Sequence, residues 1–185
     1  MAPSDPSRPW SRSPFADAAL LAEQVNPDRV APGSTNKPPH IWFATLLADG
    51  ELSDALGFVA HALPRYEAVA WGAQALLEMG AVERLDPIMV AVLRWIDQPS
   101  DGLRRAASEL AESTRKDSPA KQLGLAVMMS GGSLSGPEFP PVLPPPDVCA
   151  KLVYGALMAG AHQLPNPQPA LLQALAAGEA MARGE

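Results

Sequence analysis

The sequence has a single cysteine, Cys149, in 185 residues, so no disulfide can form within the chain. Cys149 stands among apolar neighbours in VCAKLV, which is typical of a small buried hydrophobic residue rather than a reactive thiol. No apolar run approaches the roughly 18 residues that a membrane helix needs, and the opening stretch MAPSDPSRPWSRSP lacks the apolar segment of a secretory signal. We therefore expect a cytoplasmic protein that does not insert into a membrane.

Basic residues are too few and too scattered for a nucleic-acid-binding protein. The formal net charge is -6 and the pI is about 5.0, whereas binding to phosphate backbones needs clustered Lys and Arg. The basic doublets are Arg104–Arg105 and Arg115–Lys116, and acidic residues lie close to both. We expect no nucleic-acid partner.

The sequence also lacks the motifs of catalysis and cofactor binding. It contains no G-x-S-x-G, no H-E-x-x-H, and no Walker or dinucleotide fingerprint. The histidines, His40, His61 and His162, do not have metal-ligand spacing. In SGGSLSG the glycines follow a predicted helix, which is typical of a helix terminator, whereas phosphate loops precede a helix. We expect no enzymatic activity, no cofactor and no metal.

What remains is a strong helical pattern with little sign of strands. One apolar stripe recurs at the helical period from 52 to 63: Leu52, Ala55, Leu56, Val59, Ala60 and Leu63. The next segment, RYEAVAWGAQALLEMG, is apolar on most sides, which predicts a central helix. Asp86, Ser118 and Asn166 each precede a proline, and Asp147 precedes an apolar run, so all four predict helix N-caps. The class is all-α: a compact stack of antiparallel helical hairpins, with about seven to eight helices.

The pattern divides the chain into two parts. Residues 1–36 form an N-terminal arm, partly extended or disordered, in which PFADAALLAEQV predicts a short helix. Residues 37–185 form a single α-helical domain. We expect deletion of residues 1–13 to leave stability nearly unchanged, unless Trp10 docks into the helical core.

A proline-rich stretch, SGGSLSGPEFPPVLPPP, interrupts the helices at 130–146. PEFP and PVLP satisfy the PxxP pattern that SH3-like domains bind. The residues between the prolines include Phe139, Val142 and Leu143, whose large apolar side chains favour burial. We interpret the stretch as a strap across the helical core, with Phe139 and Leu143 buried. A docking peptide is the alternative.

Two histidines occupy similar joints, AHALP at 60–64 and AHQLP at 161–165. Near a helix C-terminus an imidazole interacts favourably with the last carbonyl groups, so we expect a structural role for His61 and His162. Polar residues beside apolar ones after the first joint indicate a partner-contacting surface. The residues assigned to that surface are His61, Arg65, Glu67, Trp71 and Trp95.

Three blocks, AHALPRYEAVAWGAQAL, RWIDQPSDGLRRAASELAE and SGGSLSGPEFPPVLPPPDVCAKLVYGAL, resemble an uncharacterised family of small helical bacterial proteins. The resemblance covers about residues 45–165 and leaves out the arm. Some of these proteins lie near type VI secretion genes, which implies an adaptor or a chaperone-like accessory protein. The resemblance implies no catalytic residue.

The sequence leaves three functions open. The first is a protein-interaction module, and its oligomeric state is not predicted. The second is a small-molecule or lipid-like ligand binder, whose cavity Met128, Met129 and Met158 would line. The third and weakest is an enzyme that uses His61, Glu67 and Arg65.

Overall fold

The computed structural model describes residues 8–26 and 36–185. Within these ranges the chain forms nine α-helices and no β-strand, which confirms the prediction of an all-α protein. The helices are α1 (Ala19–Val25), α2 (Pro39–Ala48), α3 (Leu52–Ala62), α4 (Arg65–Glu78), α5 (Pro87–Asp97), α6 (Asp101–Ser113), α7 (Pro119–Met129), α8 (Val148–Ala161) and α9 (Pro167–Arg183).

Helices α5 to α8 pack side by side in chain order. Short links join α5 to α6 and α6 to α7, so these neighbours run antiparallel, as expected for helical hairpins. The joint between α3 and α4 behaves differently, because only Leu63 and Pro64 separate two helices that contact each other little. Helix α3 packs instead on α8 and α9, and α4 packs on α8. Pro64 therefore turns the chain away from α3 instead of closing a hairpin.

Helix α4 lies at the centre of the domain, as its apolar sequence predicted, in contact with α3, α5, α7, α8 and α9. Its Val69, Trp71 and Leu76 have no exposed surface. The indole nitrogen of Trp71 donates a 2.8 Å hydrogen bond to the carbonyl oxygen of Ala174 in α9, which satisfies its one polar group inside the core. Gly178 allows this approach, because a Cβ there would lie 2.8 Å from the Trp71 ring.

Local sequence sets most helix starts. Asp86, Ser118 and Asn166 accept hydrogen bonds from first-turn amides of α5, α7 and α9, and a proline follows each of them, which confirms three predicted caps. Asp147 is different, since its side chain makes no cap hydrogen bond. Its carboxylate pairs instead with Lys151, one turn further along α8. Asp147 is the N-cap residue of α8, as predicted, but the expected hydrogen bond from its side chain is absent.

Cys149 is a core residue, as predicted. Its side chain is fully buried, and its Sγ lies 3.4 Å from the carbonyl oxygen of Ala126 in α7. Burial raises the pKa of the thiol to about 12, because the apolar surroundings disfavour the thiolate. The thiol is therefore protonated and unreactive in the folded protein.

The described part of the arm packs on the helices. Trp10 is 6% exposed, and its ring centroid lies 5.2 Å from that of Phe43 and 5.9 Å from that of Phe58. The predicted short helix is α1, which packs on α3. Because Trp10 is docked, the expectation that the arm contributes little to stability no longer holds. The remaining arm residues, 1–7 and 27–35, lie outside the described residues.

Candidate functional site

The two tryptophans predicted to contact a partner lie inside the protein. Trp71 has no exposed surface and Trp95 is 5% exposed. Trp95 packs against the ring of Tyr66 at 5.4 Å, and the Tyr66 hydroxyl donates a 2.7 Å hydrogen bond to the carbonyl oxygen of Ile96. Buried indoles cannot form a contact surface. The prediction that Trp71 and Trp95 bind a partner is therefore wrong.

The predicted polar residues of the same surface contact different elements. His61 Nδ1 donates a 2.8 Å hydrogen bond to the carbonyl oxygen of Gly57 within α3. Glu67 faces the arm, with its Oε1 3.8 Å from Nη1 of Arg12. The backbone carbonyl oxygen of Arg65 lies 3.9 Å from a buried thiol of α8. In residues 8–26 and 36–185 no hydrogen bond or ion pair joins any two of His61, Arg65 and Glu67.

The structural role predicted for the two joint histidines stays a prediction, although each ring hydrogen-bonds the backbone of its own helix. His162 repeats the geometry of His61, with Nδ1 2.8 Å from the carbonyl oxygen of Met158 four residues earlier. A carbonyl oxygen only accepts, so Nδ1 carries the hydrogen in both rings. Burial lowers the pKa of His61 below its usual 6.5, because the interior disfavours the charged imidazolium. His162 is exposed, so the two joints differ in solvent access.

A cavity of about 210 Å³ lies beside His61, between α1, α3 and α8. Its lining residues are Gln24, Val25, Ser53, Asp54, Gly57, His61, Lys151 and Tyr154. The Ser53 and Tyr154 hydroxyls are 2.8 Å apart across it, and Lys151 is paired with Asp147. None of the predicted lining methionines borders this cavity.

The loop that joins α7 to α8, residues 130–147, contains three large apolar side chains that are exposed and close in sequence. Phe139, Val142 and Leu143 are 62%, 54% and 74% exposed. Of the prolines in this loop only Pro144 is buried. The strap interpretation, which buried Phe139 and Leu143, is therefore wrong. The loop is attached to the helices through its backbone and Pro144, so these side chains are not needed to hold it.

Arg104 of α6 makes the main attachment. Its side chain is only 5% exposed, and a buried guanidinium needs several acceptors to offset its desolvation. Nη1 donates to the carbonyl oxygen of Met128 and Nη2 to that of Ser133, each at 2.8 Å. The guanidinium also pairs with the Asp101 carboxylate, three residues earlier on α6. Arg104 thus ties α6 to the end of α7 and to the start of the loop.

Arg105 extends this attachment on the solvent side. Its Nη2 donates to the carbonyl oxygens of Ser133 at 2.9 Å and Ser135 at 2.7 Å. Its Nε donates to Asp101 at 2.9 Å. Hydrogen bonds from Arg104, and then from Arg105, lower the pKa of the Asp101 carboxyl group. One carboxylate therefore orients both guanidinium groups towards the loop backbone.

Hydrogen bonds inside the loop join its two halves. The backbone N–H of Leu134 donates to the carbonyl oxygen of Val142 at 2.8 Å. The Val142 N–H donates to Ser133 Oγ at 3.1 Å, and Ser135 Oγ donates to the carbonyl oxygen of Pro140 at 2.7 Å. The loop backbone is therefore fixed although its apolar side chains are exposed.

A turn at the tip of the loop decides against the PxxP interpretation. The Phe139 N–H donates to the carbonyl oxygen of Gly136 at 3.1 Å, which closes a β-turn with Pro137 at its second position. PEFP is therefore a turn and not a polyproline II segment. In PVLP the last proline, Pro144, is buried, so neither motif has the extended and exposed form that SH3-like domains bind.

The second glycine of the pair at the start of the loop, Gly132, accommodates Arg104. Gly132 has φ +68°, a left-handed conformation that glycine adopts without strain. A Cβ there would also lie 3.0 Å from Nη2 of Arg104. The sequence predicted a helix terminator, and α7 does end at Met129, just before the pair. The close approach of the guanidinium to Gly132 was not predicted.

The chain belongs to DUF6931, a family of unknown function whose sequence profile matches residues 42–182. This agrees with the resemblance to an uncharacterised family. The match includes α3 to α8 with the whole α7–α8 loop, and it leaves out the arm and α1. No curated protein and no solved structure matches the chain.

Two further observations concern metals and membranes. In residues 8–26 and 36–185, no group of three or more His, Cys, Asp or Glu is placed to hold a metal ion. None of the helices in the described ranges is long and apolar enough to cross a membrane.

Proposed function

We propose that the chain is a non-enzymatic protein-interaction module that binds its partner through the α7–α8 loop. One observation carries the proposal: Phe139, Val142 and Leu143 are more than half exposed on a loop whose backbone Arg104 and Arg105 hold in place. Several large exposed apolar groups on one short loop are a feature of protein-contact surfaces.

The hydrogen bonds that hold the loop backbone support this proposal. A flexible loop loses conformational entropy when it binds, and a loop already fixed in its bound form avoids most of that cost. Phe139 at the tip is the expected anchor, because aromatic side chains dominate many interfaces. A shallow depression of about 500 Å³ beside it is lined by Asp101, Arg105, Ser133, Ser135, Gly136, Pro137, Phe139 and Pro141. A partner side chain that enters this depression would contact Phe139 and the arginine-held backbone together.

An adaptor or chaperone-like accessory role fits a module of this kind. The resemblance to proteins encoded near type VI secretion genes makes a component of such a system the first partner to test. The cytoplasmic location and the lack of a nucleic-acid partner stay predictions.

The test replaces the anchors without disturbing the fold. Phe139→Ala combined with Leu143→Ala should abolish co-purification of the partner with the tagged full chain from the source cell. Leu85→Ala is the matched control, because Leu85 is 84% exposed and lies outside the loop. A partner retained by the double variant, or lost in Leu85→Ala, would contradict the proposal.

The ligand-binding alternative rests on the 210 Å³ cavity beside His61. It is smaller than the roughly 300–1,000 Å³ pockets that hold drug-sized ligands, so it suits only a small polar molecule. A set of such molecules would be screened for a rise in melting temperature. A rise in the wild-type chain that Tyr154→Phe reduces, by removing a lining hydroxyl group, would favour this alternative.

A further inference from the structure

A second site lies where the arm crosses the end of α9. The indole of Trp10 fills an apolar pocket beside Phe43 of α2 and Phe58 of α3, and it is 6% exposed. We call this the Trp10 pocket. Phe43 and Phe58 are themselves fully buried. The pocket therefore belongs to the helical domain, whereas its occupant comes from the arm.

Hydrogen bonds directly after Trp10 attach the arm to the end of α9, at a turn formed by residues 11 and 12. The Arg12 N–H donates to the carbonyl oxygen of Ala182 at 2.9 Å, and Ser11 Oγ donates to that of Arg183 at 2.6 Å. These carbonyl groups belong to the last turn of α9, where helices have unpaired acceptors. The arm thus uses the free carbonyl groups of a helix end, as a bound peptide would.

Charge complementarity marks the rim of the Trp10 pocket. Arg8 pairs with the Glu185 side chain at 2.7 Å, and Arg12 lies 3.8 Å from Glu67. An arginine therefore lies on either side of the tryptophan, and each faces a carboxylate. The nearby Arg183 guanidinium does not oppose this arrangement, since it pairs with Glu179 at 2.6 Å.

The arm is an imperfect occupant of its pocket. The Trp10 indole nitrogen is buried, and it has no hydrogen-bond partner within residues 8–26 and 36–185. A buried donor without an acceptor weakens binding. The two arginine pairs involve side chains that are 64% and 52% exposed, and ion pairs at such sites contribute little. Residues 8–18 also contain no helix that would hold them in place.

We propose that the Trp10 pocket is a peptide-binding site for a tryptophan-containing segment flanked by arginines, and that the arm occupies it in cis. A partner segment of this chemistry binds when the arm leaves. The pocket provides the apolar rings of Phe43 and Phe58, the carboxylates of Glu67 and Glu185, and the free carbonyl groups at the end of α9. This site is separate from the α7–α8 loop, so it does not depend on the function proposed for that loop.

The arm is part of the same chain as the Trp10 pocket, so it competes with any free peptide for that pocket. A tethered segment has an effective concentration in the millimolar range, so the arm should block a free peptide at micromolar concentrations. Removing the Trp10 side chain from the full chain empties the pocket and retains all the pocket residues. A peptide supplied in trans should then bind.

The experiment uses the full chain with Trp10→Ala and a capped, fluorescently labelled peptide, RPWSRS, which copies residues 8–13. We expect saturable one-to-one binding by fluorescence polarisation and a rise in the melting temperature of the variant. The wild-type chain should bind at least about tenfold more weakly because its own arm competes. The control peptide RPASRS should not bind, whereas Glu67→Gln added to the variant should weaken binding of RPWSRS only about two- to fivefold, because Arg12 of the Arg12–Glu67 pair is exposed.

Equal binding to the wild-type chain and to Trp10→Ala would overturn the proposal, because the peptide would then bind outside the pocket. A folded Trp10→Ala variant that neither binds RPWSRS nor gains stability from it would also overturn it. If circular dichroism shows that Trp10→Ala is unfolded, Arg8→Glu combined with Arg12→Glu replaces it. That variant must bind RPWSRS more tightly than the wild-type chain does. If its affinity for RPWSRS is not higher, the proposal is overturned. Phe139→Ala with Leu143→Ala must leave peptide binding unchanged.

Discussion

Nη2 of Arg104 donates a 2.8 Å hydrogen bond to the backbone carbonyl oxygen of Ser133, which is 29 residues further along the chain. The donor is a buried charge on α6, and the acceptor is in the first part of the α7–α8 loop. The conformation of that loop therefore depends on a side chain of another helix. The first prediction tests this dependence.

Arg104→Ala should lower the free energy of unfolding by about 2–4 kcal/mol, because it removes a buried, hydrogen-bonded guanidinium and takes a donor from the part-buried carbonyl groups of Met128 and Ser133. It should also increase proteolysis within residues 133–143, since the start of the loop loses its main attachment. Chemical denaturation and limited proteolysis measure the two effects. Arg94→Ala is the control, because Arg94 is an exposed arginine of α5. A loop that stays resistant in Arg104→Ala would show that the internal hydrogen bonds alone fix it.

Phe139→Ala combined with Leu143→Ala should change the free energy of unfolding by less than about 0.5 kcal/mol, the usual range for exposed positions. Both side chains are more than 60% exposed, so their removal leaves no cavity. Thermal and chemical unfolding of the purified double variant check this. A loss of about 2 kcal/mol or more would mean that the side chains are buried in solution.

Leu56→Asp should abolish folding, whereas Leu110→Asp should only lower the melting temperature. Leu56 has no exposed surface, and an unpaired carboxylate there would be buried. Leu110 is half-buried at the edge of the core, where a carboxylate can reach water. Circular dichroism melts of both variants provide the comparison. If both variants fail to fold, or both fold with similar melting temperatures, the difference in burial between Leu56 and Leu110 would be contradicted.

His61 should make the protein less stable in mild acid. Burial, and to a lesser extent Lys151, lowers the pKa of His61, while the hydrogen bond to Gly57 and the Asp147 charge partly oppose this. The folded-state pKa thus lies below the unfolded value of 6.5. As the pH falls below 6.5 the unfolded chain binds the proton first, so stability decreases until the folded pKa is passed.

His61→Gln should therefore flatten the decrease in stability between neutral pH and the folded pKa, measured as unfolding free energy against pH. His162→Gln is the matched control, because its ring makes the same hydrogen bond from an exposed position. Part of the decrease should remain in His61→Gln, since burial also lowers the pKa of His40. Identical pH profiles for His61→Gln and the wild-type chain would contradict the prediction.

The parts of the fold that depend on residues close together in the sequence were predictable from it. The caps at Asp86, Ser118 and Asn166 and the buried stripe through Leu56 follow from spacing within one or two turns. Asp147 shows the limit of this reasoning, because Lys151 at i+4 competes for the same carboxylate. The all-α class followed from many such local signals together.

The candidate site was not predictable in the same way. Arg104 and Arg105 formed an ordinary basic doublet in the sequence, and no local pattern connects them to carbonyl groups at 133 and 135. Without that connection, burial of Phe139 was the reasonable expectation for a large apolar residue. The docking of Trp10 is equally non-local, since its pocket residues come from α2 and α3.

The state of Cys149 simplifies fluorescence work on this protein. It is the single cysteine of the chain, it is fully buried, and its thiol pKa is raised to about 12. A thiol-reactive dye will therefore react much faster with a cysteine introduced at an exposed position of the loop that is not a proposed anchor, as in Glu138→Cys, than with Cys149. One dye on the loop can thus report partner binding in an otherwise native sequence.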